Sequence, residues 1–358
     1  MLFRSGDRIY LLSNRDNDEF AMALDVKTGK EVWSERIGKV GKNRMIQYPG
    51  ARSTPTVEGE VLYALSSDGD LVCLETAKGK LRWKKHLQTD FGGKHGNWAY
   101  SESPLIDGDI LVCSPGGEKA TIVALKKKTG DTVWKCAVPG GDEAGYASAI
   151  AVEVGGVRQY VQFLGKGLVG VDATTGKFLW RYDKTKDMAA NIPTPVFYDG
   201  CVFTSTSRNG SGLNRIKVAK DAVESEQVYF NTTKLNSIGG VVRVGDHLYG
   251  TDAGGELTCM EFKSGKVKWH KPSVGTASVC YADGMLYVRG QGGTGFGKES
   301  PTRVALVEAT PEGYKEYGRF EQPDHGNRPA WPPPVVANGR LYLRDQGVLF
   351  CYDIKAPK

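Results

Sequence analysis

The sequence predicts an all-β fold, an eight-bladed β-propeller of four-stranded blades in one domain, 1–358. The first observation is a motif of eleven residues that ends each time in tryptophan: Trp33, Trp83, Trp134, Trp180 and Trp269. The second is their spacing of about 45–50 residues, with about twice that interval before the last tryptophan, as expected of a repeat with one degenerate copy. The third is the short alternating apolar runs between turn signals, without long helical periodicity.

Each repeat has the same order of elements, which the second repeat shows most clearly. Its four strands are predicted at 53–57, 61–65, 71–75 and 80–83. Turns at Glu58-Gly59 and at Ser67 to Asp70 separate the first three strands, because Gly, Asp and Ser favour tight turns between strands. Four short strands with turns every 8 to 12 residues are typical of a propeller blade.

Eight such repeats divide the chain, and two of them are degenerate. The predicted blades are approximately 1–38, 52–88, 101–138, 147–184, 193–231, 238–272, 277–321 and 332–358. The fifth ends in Val228-Tyr229-Phe230 and the seventh in Tyr317 to Phe320, where tryptophan is expected, and the eighth has three strands. Stacked repeats form one continuous body, so we expect one domain despite the length of 358 residues.

The repeated motif has a structural interpretation. Asp or Glu and Thr supply hydrogen bonds to the turn, glycine permits the positive φ that ends the hairpin, and tryptophan covers the seam between blades. We therefore expect the repeat tryptophans to be packing residues and not catalytic ones.

Composition excludes several classes of function. The chain has no apolar stretch long enough for a transmembrane segment. Its net charge of +6 is spread over successive turns, so we expect no nucleic acid partner. Five dispersed histidines and the absence of C-x-x-C predict no metal site. Cys73, Cys259 and Cys351 share one repeat position and are expected to be small buried hydrophobes, with a redox or metal role as the other interpretation.

Two local patterns are discounted because their context is wrong. Gly290 to Gly295 fits G-x-G-x-x-G, but strands bracket it on both sides, whereas a dinucleotide site needs a strand before and a helix after. Asp16 to Glu19 is similar to half of a calcium loop but lacks its glycine and closing glutamate, so a hairpin tip is the better interpretation.

The long loops are the candidate binding surface. In a propeller the loops that enter the first strands converge at the mouth of the central channel, and here they exceed the short turns elsewhere. Aromatic and polar residues on these loops are the ligand-binding candidates: Arg52, Trp98, Tyr100, Glu102, Tyr146, Asn191, Asn236, Arg328 and Trp331. Such a set suits a planar or sugar-like ligand; the alternative is that these residues only plug the channel.

No catalytic residue is assigned. Glu102 directly precedes a first strand, where burial would raise its pKa and suit a general base, but a salt bridge to Arg52 is the competing interpretation.

The motif from Ala23 to Trp33 and its copies resembles the quinoprotein-type repeat, named for pyrroloquinoline quinone dehydrogenases, over almost the whole chain. Segments Ser53 to Val57, Tyr100 to Leu105 and Ala309 to Lys315 are similar to small quinone-binding-like propellers of planctomycetes. The resemblance implies an eight-bladed propeller located in the periplasm or cell envelope. No signal peptide is visible, so a cytoplasmic location stays open.

The resemblance leaves two functional hypotheses. Quinone-dependent dehydrogenases hold the cofactor with a disulfide between adjacent cysteines, a tryptophan, and calcium bound by Glu, Asn and Asp. No two cysteines are adjacent here and no such calcium set is matched, so pyrroloquinoline quinone with calcium is implied by resemblance only. The first hypothesis is a scaffold whose channel-mouth loops bind a protein or a carbohydrate-like small molecule; the alternative is a quinone-dependent alcohol or sugar dehydrogenase.

Overall fold

The computed structural model describes residues 2–42, 50–220, 222–235, 239–252, 254–291, 301–324 and 331–355. It confirms the predicted fold class, an all-β eight-bladed propeller, with one antiparallel sheet for each repeat. The chain comprises two compact units. Unit 1 is Met1–Pro195 with Ile216–Ser225, and unit 2 is Val196–Arg215 with Glu226–Lys358. That the chain is a single domain stays a prediction.

Unit 1 contains the first four sheets, each of four strands in chain order. The first two sheets are β1 Leu2–Ser5, β2 Arg8–Arg15, β3 Asp18–Asp25 and β4 Glu31–Lys39, then β5 Thr56–Glu58, β6 Val61–Leu65, β7 Asp70–Glu75 and β8 Leu81–His86. The next two are β9 Leu105–Asp107, β10 Ile110–Cys113, β11 Ile122–Lys126 and β12 Thr132–Cys136, then β13 Ile150–Val154, β14 Val157–Leu164, β15 Gly167–Asp172 and β16 Phe178–Tyr182.

The fifth sheet contributes residues to both units, and unit 2 holds the last three sheets. The fifth and sixth sheets are β17 Val196–Tyr198, β18 Cys201–Thr206, β19 Gly210–Val218 and β20 Val223–Asn231, then β21 Val242–Val244, β22 His247–Thr251, β23 Glu256–Glu261 and β24 Val267–Pro272. The last two are β25 Thr276–Ala282, β26 Met285–Gln291, β27 Thr302–Glu308 and β28 Glu316–Glu321, then β29 Val335–Ala337, β30 Arg340–Asp345 and β31 Val348–Asp353. Among the described residues the last sheet has three strands, as predicted.

One short helix interrupts the sheets. Helix α1, Leu87–Phe91, follows β8; the His86 ring caps its first turn by accepting from the Thr89 amide, and Gly92 ends it at φ +66°. Over the residues that the structure describes, no helix has the length and apolar character needed to cross a bilayer.

The repeated turn forms the hydrogen bonds that its residue types predict. In the first repeat Asp25 Oδ1 accepts from the amides of Lys27 at 3.1 Å and Thr28 at 2.8 Å, and from the Thr28 hydroxyl at 2.8 Å. The Gly29 amide donates to the Asp25 carbonyl at 2.8 Å, with φ +69° at the glycine. Asp172 in the fourth repeat accepts the same three bonds, so the turn is a local structure set by the motif itself.

The repeat tryptophans cover the seams between successive repeats, as predicted. Four of the five indole N–H groups donate to a carbonyl of the next repeat: Trp33 to Thr76 at 2.9 Å, Trp83 to Lys127 at 2.9 Å, Trp134 to Ala173 at 3.1 Å and Trp269 to Thr310 at 2.8 Å. Trp180 departs from this pattern and donates to the Gln159 side chain at 2.7 Å.

The motif glycine packs against the tryptophan of the preceding repeat. A Cβ on Gly130 would lie 2.9 Å from the Trp83 ring, and one on Gly79 would lie 2.6 Å from the Trp33 ring. Gly79 and Gly130 also have positive φ angles, +71° and +76° respectively. Both glycines are therefore required by the turn and by the indole that lies over them.

The degenerate fifth repeat keeps the same seam with a tyrosine. The Tyr229 hydroxyl donates to the Phe262 carbonyl at 3.0 Å, and a Cβ on Gly265 would lie 2.8 Å from its ring. Tyr229 therefore replaces the missing tryptophan within unit 2, which the sequence comparison of repeats did not predict.

All seven cysteines are free. Cys73 and Cys259 are buried as expected, but Cys351 is exposed, so the expectation of burial is wrong there. The reason is its position: Cys351 lies on β31, the outer strand of the three-stranded sheet, where no fourth strand among the described residues covers it.

Candidate functional site

Three long loops of unit 1 surround a cleft of about 530 Å³. They are residues 94–97, 140–146 and 186–191, joined at the base by 117–118 and 165–166. All three belong to the long loops predicted as the binding surface. They precede β9, β13 and β17, so each enters the first strand of a blade. Short turns would suffice to connect these strands, and the cleft is therefore the candidate binding site.

Asn191 holds two of these loops together. Its amide nitrogen donates to the carbonyls of Leu164 at 2.7 Å and Gly165 at 3.0 Å, while its Oδ1 accepts from the Asp187 amide at 2.7 Å. Its own carbonyl accepts from the Tyr146 amide at 3.0 Å. Because Asn191 is almost fully buried, these bonds fix the loop base instead of being exchanged with water.

Tyr146 and Trp98, both predicted as ligand-binding residues, lie next to one another. The Tyr146 hydroxyl accepts a hydrogen bond from the Trp98 amide at 3.1 Å, and both side chains are half-buried. A Cβ on Gly96 would lie 2.4 Å from the same hydroxyl, so the close approach of the two loops depends on a residue without a side chain.

The apex of the third loop is the most exposed large apolar residue among those described. Met188 is 94% exposed. The neighbouring Asp187 is buried, and its carboxylate accepts from the Ala189 amide at 2.8 Å. The loop thus presents a methionine to solvent from a base fixed by Asp187 and Asn191. No sequence pattern predicts this role of Met188, because the loop conformation decides which side chain lies at the apex.

Asp142 lies beneath the cleft as a buried carboxylate. It accepts from the amides of Glu143 and Lys166, each at 2.9 Å, and its Oδ2 lies 3.1 Å from an Arg181 nitrogen. Burial raises the pKa of its carboxyl to about 6, although these partners lower it. On the rim, Lys94 and Glu143 form an ion pair at 2.7 Å, so the cleft entrance carries both signs of charge.

Tyr100 and Glu102 are almost completely buried. The Tyr100 hydroxyl donates to the Pro115 carbonyl at 2.7 Å. One Glu102 oxygen accepts from the Ser114 amide and the other from Gln162 Nε2 at 2.8 Å. Burial raises the pKa of Glu102 to about 7. Both residues use their polar atoms within unit 1, and their ligand-binding role stays a prediction.

The expected salt bridge between Glu102 and Arg52 is wrong. Glu102 accepts hydrogen bonds from Ser114 and Gln162 instead. The charge of Arg52 acts on Glu19. Burial raises the pKa of Glu19 to about 7, and the positive charge of Arg52 lowers that pKa by a smaller amount. Glu19 is fully buried and accepts from the Ser67 amide at 3.0 Å and from its hydroxyl. It lies in β3, after the turn at Asp16 and Asn17, and its alternation with Ala21 and Ala23 could have indicated the buried face.

The remaining candidates lie elsewhere. Trp331 belongs to unit 2, where its carbonyl accepts from the Ser278 hydroxyl at 2.9 Å and its side chain is half-buried. Asn236 and Arg328 lie outside the described residues. Of the nine predicted residues, Tyr146 and Asn191 line the cleft, and Trp98 lies beside it through its bond to Tyr146. Tyr100 and Glu102 are buried in unit 1 and do not line the cleft, whereas the charge of Arg52 acts on Tyr146 as well as on Glu19.

The residues of the structure do not fit a quinone and calcium site. The cysteines are all free, and none is adjacent to another. Within the described ranges, the clusters of at least three His, Cys, Asp or Glu side chains with converging ligand atoms are Asp68, Asp70 and His86 in unit 1 and Asp252, Glu256 and His270 in unit 2. Each contains a histidine in place of the all-oxygen set that calcium prefers, and Lys84 Nζ already lies 2.7 Å from Asp70.

Two curated relatives match the chain. The outer membrane protein assembly factor BamB of Salmonella typhimurium is 26% identical over 122 residues, and that of Burkholderia pseudomallei is 20% identical over 279 residues. The matches cover 33% and 75% of this chain. The chain spans less than two thirds of either relative's length, 27% and 65% respectively.

Solved structures share the fold. BamB from Moraxella catarrhalis superimposes with a TM-score of 0.64 at 16% identity, covering 100% of this chain and 95% of that one. A europium-containing methanol dehydrogenase gives 0.56 at 11% identity, covering 86% and 72%. At these identities the likeness shows the fold alone. The sequence model of the family described as outer membrane protein assembly factor BamB matches residues 17–271, and the chain belongs to this family.

Proposed function

We propose that the chain is a protein-binding scaffold of the cell envelope that acts in outer membrane protein assembly, and that its partner binds the cleft of unit 1. The family description and the two curated relatives support the first part, because their names state that activity. The chain spans only part of those relatives, so the activity is a proposal here.

The exposed Met188 above a fixed loop base is the observation that carries the proposal. Methionine and aromatic residues are enriched at protein interfaces. Tyr146 lines the same cleft, and Trp98 lies beside it, its amide donating to the Tyr146 hydroxyl. An apolar side chain at 94% exposure has no folding role, since it removes almost no apolar area from water. A partner that covers it would supply that burial.

Rigidity of the loops supports a preformed binding surface. The bonds made by Asn191 and Asp187 order the third loop before any partner arrives, so less conformational entropy is lost on binding. The mixed charges of Lys94 and Glu143 at the rim favour a polar polypeptide edge around an apolar contact. A protein segment suits this arrangement better than a carbohydrate-like molecule, which would leave Met188 uncovered.

Complementation in the host tests the proposal. Cells that lack the chain are supplied with the wild type, with Met188→Asp, or with Leu81→Asp, a control on β8 of the same unit whose side chain is 45% exposed. We expect outer membrane protein levels to be restored by the wild type and the control but not by Met188→Asp, with all three chains equally folded by circular dichroism. Equal restoration by both variants would contradict the cleft as the binding surface.

A further inference from the structure

A cluster of metal-ligating side chains in unit 2 is used neither by the cleft nor by the repeated turns. Asp252, Glu256 and His270 each bring one ligand atom, and these atoms all lie within 4.8 Å of one another. Asp252 directly follows β22, and Glu256 begins β23. His270 is on β24, opposite Thr258 of β23. We propose that these three side chains bind a divalent first-row transition-metal ion, for which Zn²⁺ is the probe.

The histidine is already oriented for this role. Its Nδ1 lies 2.7 Å from the Thr258 hydroxyl oxygen, while Nε2 faces the carboxylates, 2.5 Å from Glu256 Oε2 and 3.8 Å from Asp252 Oδ2. The hydrogen bond between Nδ1 and the Thr258 hydroxyl holds the ring with Nε2 toward the carboxylates. In the tautomer with the proton on Nδ1, the lone pair of Nε2 is available to a metal. Thr258 is thus the outer partner of the proposed site.

The two carboxylates lie beside the His270 imidazole. Asp252 Oδ1 accepts from the Glu256 amide at 3.0 Å, which leaves Oδ2 directed at the histidine. In the part of unit 2 that the structure describes, the ion pairs of Asp252 and Glu256 are with His270 and with no lysine or arginine. Two adjacent carboxylates beside an imidazole nitrogen form a donor set that attracts a divalent cation.

The second repeat provides an internal comparison. Asp70 and Glu256 occupy the same position relative to the repeat tryptophan, and Lys84 and His270 directly follow that tryptophan. In the second repeat the Lys84 ammonium lies 2.7 Å from Asp70 Oδ1 and occupies the place of a cation. The sixth repeat has an imidazole there, which exchanges a fixed positive charge for a metal ligand.

The donor set selects the class of ion. Imidazole nitrogen with two carboxylate oxygens suits Zn²⁺ and its neighbours, whereas calcium and magnesium prefer oxygen alone. Zn²⁺ lies about 2.0–2.2 Å from such ligands, so small side-chain movements would close the site around it. His270 is exposed, which leaves an entry path and a position for water. A bound ion would link the turn before β23 to β24.

The matched variant is His270→Lys, because it introduces the residue that the second repeat carries at this position and keeps an ion pair with Glu256. The control is His86→Asn, which removes the other clustered histidine but retains a residue that caps α1. Zn²⁺ binding is measured by calorimetry on the full untagged chain after chelator treatment, together with the melting temperature with and without Zn²⁺.

We expect wild type and His86→Asn to bind one Zn²⁺ and to melt at a higher temperature with it. His270→Lys should bind at least tenfold more weakly and show no rise in melting temperature. Unsaturable binding to the wild type, undiminished binding to His270→Lys, or binding of Ca²⁺ in preference to Zn²⁺ would overturn the proposal. If His270→Lys does not fold, Glu256→Gln is measured with the same expected loss.

Discussion

Glu102 is a carboxyl group enclosed by protein atoms. Its oxygens accept from the Ser114 amide and from Gln162, whose Nε2 also donates to the Ser114 hydroxyl at 2.8 Å and the Ala147 carbonyl at 3.1 Å. The buried Gln162 side chain thus joins the three segments of unit 1 that contain Glu102, Ser114 and Ala147. Since burial disfavours the charged form more than these bonds favour it, the pKa is raised to about 7 from 4.5.

The raised pKa predicts a pH dependence of stability. The folded chain binds a proton at Glu102 up to about pH 7, whereas the unfolded chain releases it near 4.5, so this contribution to stability is present below pH 4.5 and is lost as the pH rises through about 7. We expect Glu102→Gln, which is neutral throughout, to reduce the fall in unfolding free energy between pH 5 and pH 8 by about 1–3 kcal/mol. Denaturant titrations at four pH values measure this; an unchanged slope would show that Glu102 is not the group responsible.

At the scale of the element, the eleven-residue motif joins a turn to the seam with its neighbour. The same glycine meets two requirements, a positive φ in its own hairpin and the close approach of an indole from the preceding repeat. Tyr229 shows that the seam needs an aromatic ring with a hydrogen-bond donor and not tryptophan itself. This explains how a degenerate repeat still forms a sheet.

Two glycine substitutions separate these requirements. Gly130→Ala adds a Cβ 2.9 Å from the Trp83 ring at φ +76°, and Gly59→Ala adds one at φ +57° with nothing within 4 Å. We expect Gly59→Ala to cost about 1–2 kcal/mol of stability for backbone strain, and Gly130→Ala to cost about 1–3 kcal/mol more for the lost packing. Thermal or denaturant unfolding measures both variants. Equal losses would mean that the indole contact contributes nothing.

Sequence reasoning was sufficient for the fold because the motif's chemistry is local. The bonds of Asp25, Thr28 and Gly29 lie within one turn, so the motif that forms them can be recognised in the sequence. The spacing of its copies, with the turn signals of the degenerate repeats, predicts eight repeats. It was less complete for the site. Trp98 and Tyr146 were predicted from loop length and residue type, but their contact depends on two loops far apart in sequence. Met188 was missed for the same reason, because Asp187 and Asn191 decide its exposure.

At the scale of the whole molecule, the chain combines repeated sheets with loops that the repeats do not require. Unit 1 carries a cleft whose base is buried and polar, and unit 2 carries the cluster around His270. The sheets supply fixed ends for the loops, and a few buried side chains then set the conformation of the proposed binding surface.

A substitution at Asn191 tests whether the loop can be loosened while the sheets stay intact. Asn191→Ala removes bonds to the Leu164 and Gly165 carbonyls and to the Asp187 amide, with an expected loss of about 1–3 kcal/mol. We expect hydrogen exchange to accelerate in residues 186–191 while the amides of β14 and β15 stay protected. Met188→Ala is the control, because it changes the same loop without removing a buried bond. Uniform acceleration across unit 1 would contradict a local role.

Site-specific photocrosslinking in living cells tests whether a protein partner binds at the cleft. A photoreactive amino acid is placed at position 188 and, as a control, at position 81 on β8 of the same unit. We predict one discrete protein adduct from position 188, diminished in the Asn191→Ala background, and none from position 81. No adduct from position 188, or the same adduct from both positions, would contradict the binding of a protein partner at the cleft.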